Sequence, residues 1–212
     1  MPPPSRDALS TPRAAGLAGI LFGLLLAAAI VLVRLAVPAD PGSAGPWLTG
    51  SPQRTAVQVA LDLVPFAGIA FLWYLAAVRD LIGEREDRFY ATVFIGSGLV
   101  FTAVLLCGAA AAGGMLATAG DANRPLWDFG HSIAYALLLE YSMRMAAVFV
   151  LCTTTIGGRL RVLPRALVWL GWLVGLALMV GAGNVAWLEL AFPVWSVVLG
   201  GYMLTVGAGT AR

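Results

Sequence analysis

The run AAGLAGILFGLLLAAAIVLVRLAV, residues 14–37, carries a single charge in 24 positions. A helix needs about 20 apolar residues to cross a hydrocarbon core of about 30 Å. Its position near the N-terminus would also suit a signal peptide. The apolar stretch is longer than the roughly 7–15 residues of a signal-peptide core, so it predicts a retained first transmembrane helix.

Composition extends that reading to the whole chain. Of 212 residues, 60% are hydrophobic and only 11% charged, where soluble domains carry roughly a quarter. A net charge of +2 is too small to point to nucleic acid. All thirteen basic residues are Arg. Without Lys there is no Schiff-base anchor for retinal or pyridoxal phosphate, and no complete Walker-type phosphate loop. No cofactor is expected.

Further apolar runs predict spans over 57–78, 89–112, 131–156, 166–183 and 188–208. The expected fold is all-α: a polytopic transmembrane helical bundle of six spans, or five if the last pair is one span plus a surface segment. The connections PADPGSAGPWLTGSPQR, RDLIGEREDR, GGMLATAGDANRPLWDFG and GGRLRVLPR are marked by Pro, Gly and charge, which punctuate helices. The last break falls at GAGN, 181–184. Residues 1–13 read as a flexible cytoplasmic segment and 209–212 as a short tail.

The arginines give an independent test of the topology. With the N-terminus cytoplasmic, nine fall in inside segments (Arg6, Arg13, Arg79, Arg85, Arg88, Arg159, Arg161, Arg165, Arg212) against three outside (Arg34, Arg54, Arg124). That asymmetry follows the positive-inside rule and places both termini in the cytoplasm. The same topology puts Cys107 and Cys152 near opposite faces, too far apart for a disulfide, which needs Cα atoms within about 7 Å.

Five polar residues inside or beside the spans are candidates for function. Glu140 lies nine residues past His131, about 13.5 Å into its span, and Arg144 is one turn deeper. At i, i+4 the two share a helix face and can form an ion pair within one helix. This pair is either a structural polar cluster or a proton or cation acceptor with its counter-charge. Asp62, in DLVPF, lies about 8 Å into the second span. Pro65 withholds the N–H that would bond Leu61 and loosens the helix beside that acid. Asp62 is read as a pathway or packing acid, or as an acid in reach of interfacial water or Arg54. Asp128 and His131, the only His, form an outer-face polar pair. A metal site needs three or four convergent ligands, so no metal site is expected. Gly19 with Gly23, and Gly171 with Gly175, have GxxxG spacing, which permits close helix contact.

The stretch YALLLEYSMRMAAVFVLCTTTIGGRLRVLPRALVWLGWLVGLALMV, with WYLAAVRDLIGEREDRFYATVF before it, resembles an actinobacterial family of small uncharacterised polytopic membrane proteins. The shared elements are an Arg-Met pair in the fourth helix and a basic loop ending in Leu-Pro. The resemblance implies a bacterial plasma-membrane protein and brings no activity or site residues. Short loops and the absence of a cofactor motif point to a non-enzymatic accessory, assembly or scaffold protein. Its expected partners are the lipid bilayer and either another membrane protein or a second copy of the chain. The alternative is a small transporter or channel, proton- or ion-coupled through Glu140, Arg144 and Asp62. Scarce His, Cys and clustered carboxylates argue against an enzyme.

Overall fold

The computed structural model describes residues 11–36, 52–82, 88–117 and 124–209, and these are almost entirely helical. The expected terminal segments lie outside the described residues except where helices reach into them. In chain order the helices are α1 (Thr11–Ala36), α2 (Pro52–Ile82), α3 (Arg88–Ala117), α4 (Arg124–Tyr135), α5 (Ser142–Arg159), α6 (Arg165–Gly181) and α7 (Ala191–Gly209). A π-helical segment, Ala136–Tyr141, joins α4 to α5, and a 3-10 turn, Leu188–Leu190, precedes α7. Because α4, the π segment and α5 form one continuous rod, the described residues make six rods.

Five of these rods are long and apolar enough to cross a membrane, while α6, with 17 residues, is apolar but shorter. In lipid every backbone N–H and C=O must be satisfied within the protein, and an unbroken helix does so internally. Several buried hydroxyls follow the same logic. Thr153, Ser196 and Thr102 donate to the carbonyls of Phe149, Phe192 and Gly98 on their own helices, at 2.8, 3.0 and 3.0 Å.

α1, α2, α3 and the α4–α5 rod are longer than the expected spans because apolar windows stop where amphipathic ends begin, whereas α6 and α7 are slightly shorter than theirs. The largest correction is at 113–130, expected as a connection: α3 continues to Ala117 and α4 starts at Arg124. The Pro in RPLWDF stands in the first turn of α4, where its missing N–H costs nothing. Pro65 lies inside α2 without ending it.

The rods are arranged as a ring. α1 packs along α2 on one side and α7 on the other, α3 bridges α2 to α5, and α6 lies against α5. Aromatic rings from four of these helices and α3 fill the centre. Phe22, Phe71, Phe101, Phe149 and Phe192 are fully buried, with Phe22–Phe71 and Phe71–Phe101 centroids both at 4.8 Å. Offset and edge contacts of this kind add about 0.5–1.5 kcal/mol per pair beyond area burial. At one end of the bundle, Ala36, Val57 and Leu116 make a second small core against Trp127. At the other end lie Arg159, Arg161 and Arg165, on the α5–α6 turn.

The contact between α1 and α7 depends on glycine. A Cβ on Gly200 would stand 2.7 Å from the Gly16 carbonyl oxygen, and one on Gly23 would stand 2.6 Å from that of Pro193. The Gly19–Gly23 spacing read from the sequence is therefore part of a real close approach, with Gly16 extending it.

Candidate functional site

The π segment packs against another helix. Its widened turn is closed by the Ser142 N–H bonding the Leu137 carbonyl, five residues back. Leu137 and Leu138 press against α3 at Gly108, where any Cβ would come within 2.8 Å of Leu138. A glycine on α3 thus sits where Leu138 of the wider turn approaches most closely. π-bulges of this kind are frequent at functional sites, and this one carries Glu140.

Glu140 accepts a hydrogen bond from the Arg144 guanidinium at 2.7 Å, the i, i+4 pair expected from the sequence. Both side chains keep about a third of their surface open, at 38% and 34%. Glu140 sits near the middle of the α4–α5 rod. Beside it runs the turn that ends α6: a Cβ on Gly183 would be 3.7 Å from Glu140 Cβ and Cγ. Gly183 has φ of 82°, a left-handed conformation that suits glycine. The GAGN turn thus meets α4–α5 at Glu140, about 19 Å along the helix from Trp127.

A second charged pair was not read from the sequence. The Arg34 guanidinium donates to Glu189 Oε1 at 2.6 Å, joining α1 to the α6–α7 connection across 155 residues of chain. Glu189 is 1% exposed and Arg34 19%. An Arg side chain on a helix leans toward the N-terminus, so Arg34 points back from the end of α1 into the bundle. Glu189 rises to meet it from the 3-10 turn, just after Trp187, which holds φ of 67°. A non-glycine residue in that region costs roughly 1–2 kcal/mol. Strain of this type, when observed beside buried charge, marks a site that the surrounding fold over-determines. Two further atoms of the pair, Arg34 Nε and Glu189 Oε2, are buried without hydrogen-bond partners.

Next to Arg34 is a cavity of about 60 Å³ walled by Leu26, Ile30, Val64, Leu105 and Leu138. Among the described residues its walls are apolar apart from Arg34, the one charged group in the lining. Of the four residues in the two ion pairs, only Arg34 lines this cavity.

The remaining expected residues are not brought to this region. Asp62 is exposed on the outward face of α2, although Leu61 and Val64 beside it line the cavity. Arg54 donates to the Leu116 carbonyl at 3.3 Å. Asp128 is exposed on α4, and its carbonyl accepts from Ser132 at 2.8 Å. The His131 ring lies between Trp127 and Tyr135, with centroids at 6.3 and 6.1 Å, inside α4 rather than at a helix start. Cys107 is exposed and Cys152 buried, and neither is in a disulfide. Among the described residues no three His, Cys, Asp or Glu side chains converge.

This arrangement can neutralise charge, hold helices in register and present a buried carboxylate oxygen beside irregular backbone. The class it defines is a helical bundle with the build of a multi-pass membrane protein. No protein-family model, curated protein or solved structure matches the chain.

Proposed function

We propose that this chain is a six-span, non-enzymatic accessory, assembly or scaffold protein of a bacterial plasma membrane, docking through the outward face of α2. The observation that carries the reading is Asp62. It is exposed on that face, five residues inward of Val57 and so about 7 Å below the Ala36–Val57–Leu116 layer. Ionisable residues at membrane depth almost always face a bundle interior, a cavity or an opposite charge. Asp62 has no ion-pair partner among the described residues. Gln58 and Phe66, one turn to either side, are exposed with it and extend the strip. The chemistry selects a membrane helix with a basic side chain at that depth. A second copy meeting face to face would set Asp62 against Asp62, which disfavours homodimerisation here. The aromatic filling of the bundle centre also supports a role other than conduction.

Purification of wild type and Asp62→Leu in a mild detergent tests this. Wild type is expected to retain one stoichiometric membrane protein that Asp62→Leu loses and Asp62→Glu keeps. Identical profiles for all three would mean that Asp62 is simply wetted at the interface.

Orientation rests on the nine-to-three arginine bias. A reporter fused after Arg212 is expected on the cytoplasmic side. A periplasmic signal would make the span number odd and remove α6 and α7 as separate crossings. In this reading α6 rises only about 25 Å, so the α6–α7 connection ends within the membrane. Irregular backbone at such depth is tolerated where protein buries it or a cavity is lined by it.

One observation favours the second reading, a small proton- or ion-coupled transporter: the unpartnered Glu189 Oε2 beside that irregular backbone. Helix ends and unwound backbone at membrane depth form ion sites in many transporters. Flux into proteoliposomes that Glu189→Gln abolishes, with folding intact, would favour this reading over the accessory one.

A further inference from the structure

The basic end of the bundle contains a cavity unrelated to the charged pairs above. It lies between the end of α5 and the start of α6, with a volume of about 660 Å³. Arg159, Arg161 and Arg165 line it, together with Trp169, Trp172 and Thr154. Among the described residues no carboxylate is in its lining, and none of the three guanidiniums has an ion-pair partner.

Local structure explains why the arginines converge. α5 ends in a tight turn in which the Val162 and Leu163 N–H groups both bond the Gly157 carbonyl, at 3.0 and 3.2 Å. That turn requires Arg161 to adopt φ of 56°, a conformation costly for any residue with a Cβ. Pro164 then stands at the N-cap of α6, which no side chain caps. The first N–H groups of a helix lack intrahelical partners and favour anions. Arg159 stacks over Tyr90, 5.4 Å from the ring centroid, which fixes one wall. Thr154 is fully buried and lines the cavity, and its Oγ1 has no hydrogen-bond partner. Trp169 and Trp172 are 75% and 37% exposed at the rim, where tryptophan marks the headgroup level of a bilayer.

We infer that this cavity binds the phosphate headgroup of an anionic lipid. Three guanidiniums and free helix N–H groups supply the charge and donors that a phosphate needs. The apolar outer face of α6, with Leu173, Leu176 and Val180 exposed, offers a track for the acyl chains. A soluble phosphate shares the headgroup chemistry but gains nothing from that track or from the tryptophans.

The test is native mass spectrometry of the purified full chain after exchange into detergent with phosphatidylglycerol, phosphatidylcholine or water-soluble glycerol 3-phosphate. Wild type is expected to retain one phosphatidylglycerol and to prefer it to phosphatidylcholine. Each guanidinium removed, in Arg161→Gly and Arg165→Gln, is expected to weaken retention about fivefold. Arg161→Gly is the informative variant, since glycine suits the backbone at φ of 56°. It is expected to melt at or above the wild-type temperature while binding less lipid. Equal retention of the two lipids, retention unchanged in the double variant, or displacement of lipid by glycerol 3-phosphate would each overturn the inference.

Discussion

Arg34→Leu is expected to lower the yield of folded, monodisperse protein sharply, because it leaves Glu189 buried without its counter-ion. Removing one member of a buried pair costs about 3–5 kcal/mol, since the remaining charge cannot be rehydrated. Arg34→Leu combined with Glu189→Leu is expected to recover most of the loss, because replacing both charges by apolar groups is often neutral or better. The same comparison with Arg144→Leu, alone and with Glu140→Gln, should give a smaller separation. Glu140 keeps 38% of its surface open, whereas Glu189 keeps 1%. Thermal unfolding of the four variants in one detergent reads both effects. Equal melting temperatures for Arg34→Leu and its double variant would contradict the role given to the pair.

Gly200→Leu is the second large effect. Its Cβ alone would lie 2.7 Å from the Gly16 oxygen and 3.0 Å from the Ile20 nitrogen. These are backbone atoms, so no rotamer change relieves the overlap and α7 has to move away from α1. Overpacking costs typically 1–3 kcal/mol, and this contact runs along the main α1–α7 interface, so the upper end of that range or more is expected. Gly201→Leu is the control, because nothing lies within 4 Å of a Cβ there. Similar melting temperatures for the two would show that α1 and α7 do not depend on this approach.

The long helices were legible in the sequence because a bilayer sets the length of an apolar run, and the runs were uninterrupted. The ends were not legible, since helices continue through mixed stretches such as RPLWDFG and AAGGMLA that hydropathy alone reads as loop. Glu140 with Arg144 was legible because i, i+4 spacing is local. The π segment beneath Glu140 was not, because nothing in the local sequence ALLLEY sets it apart from an ordinary apolar helix, and its neighbour Gly108 lies on another helix. Glu189 was missed for the same reason: WLELAFP at the start of a predicted span looks like an interface, and Arg34 near the end of another looks like a snorkelling residue. One signal was available. Both charges fall on the same predicted side of the membrane, at similar depth and with opposite sign. Asp62 was legible as an acid inside a span, but its outward direction depends on which face of α2 meets α1 and α3.

That outward carboxylate carries the functional proposal, and a photo-crosslinking amino acid at Phe66 tests it most directly. Phe66 is 62% exposed, one turn from Asp62 on the same face. Illumination in native membranes should give one discrete protein adduct of defined mass from Phe66. The adduct should disappear with Asp62→Leu and return with Asp62→Glu. A probe at Val180, 77% exposed on α6, should not yield it. Lipid adducts alone at both positions, or a protein adduct indifferent to residue 62, would contradict docking through α2.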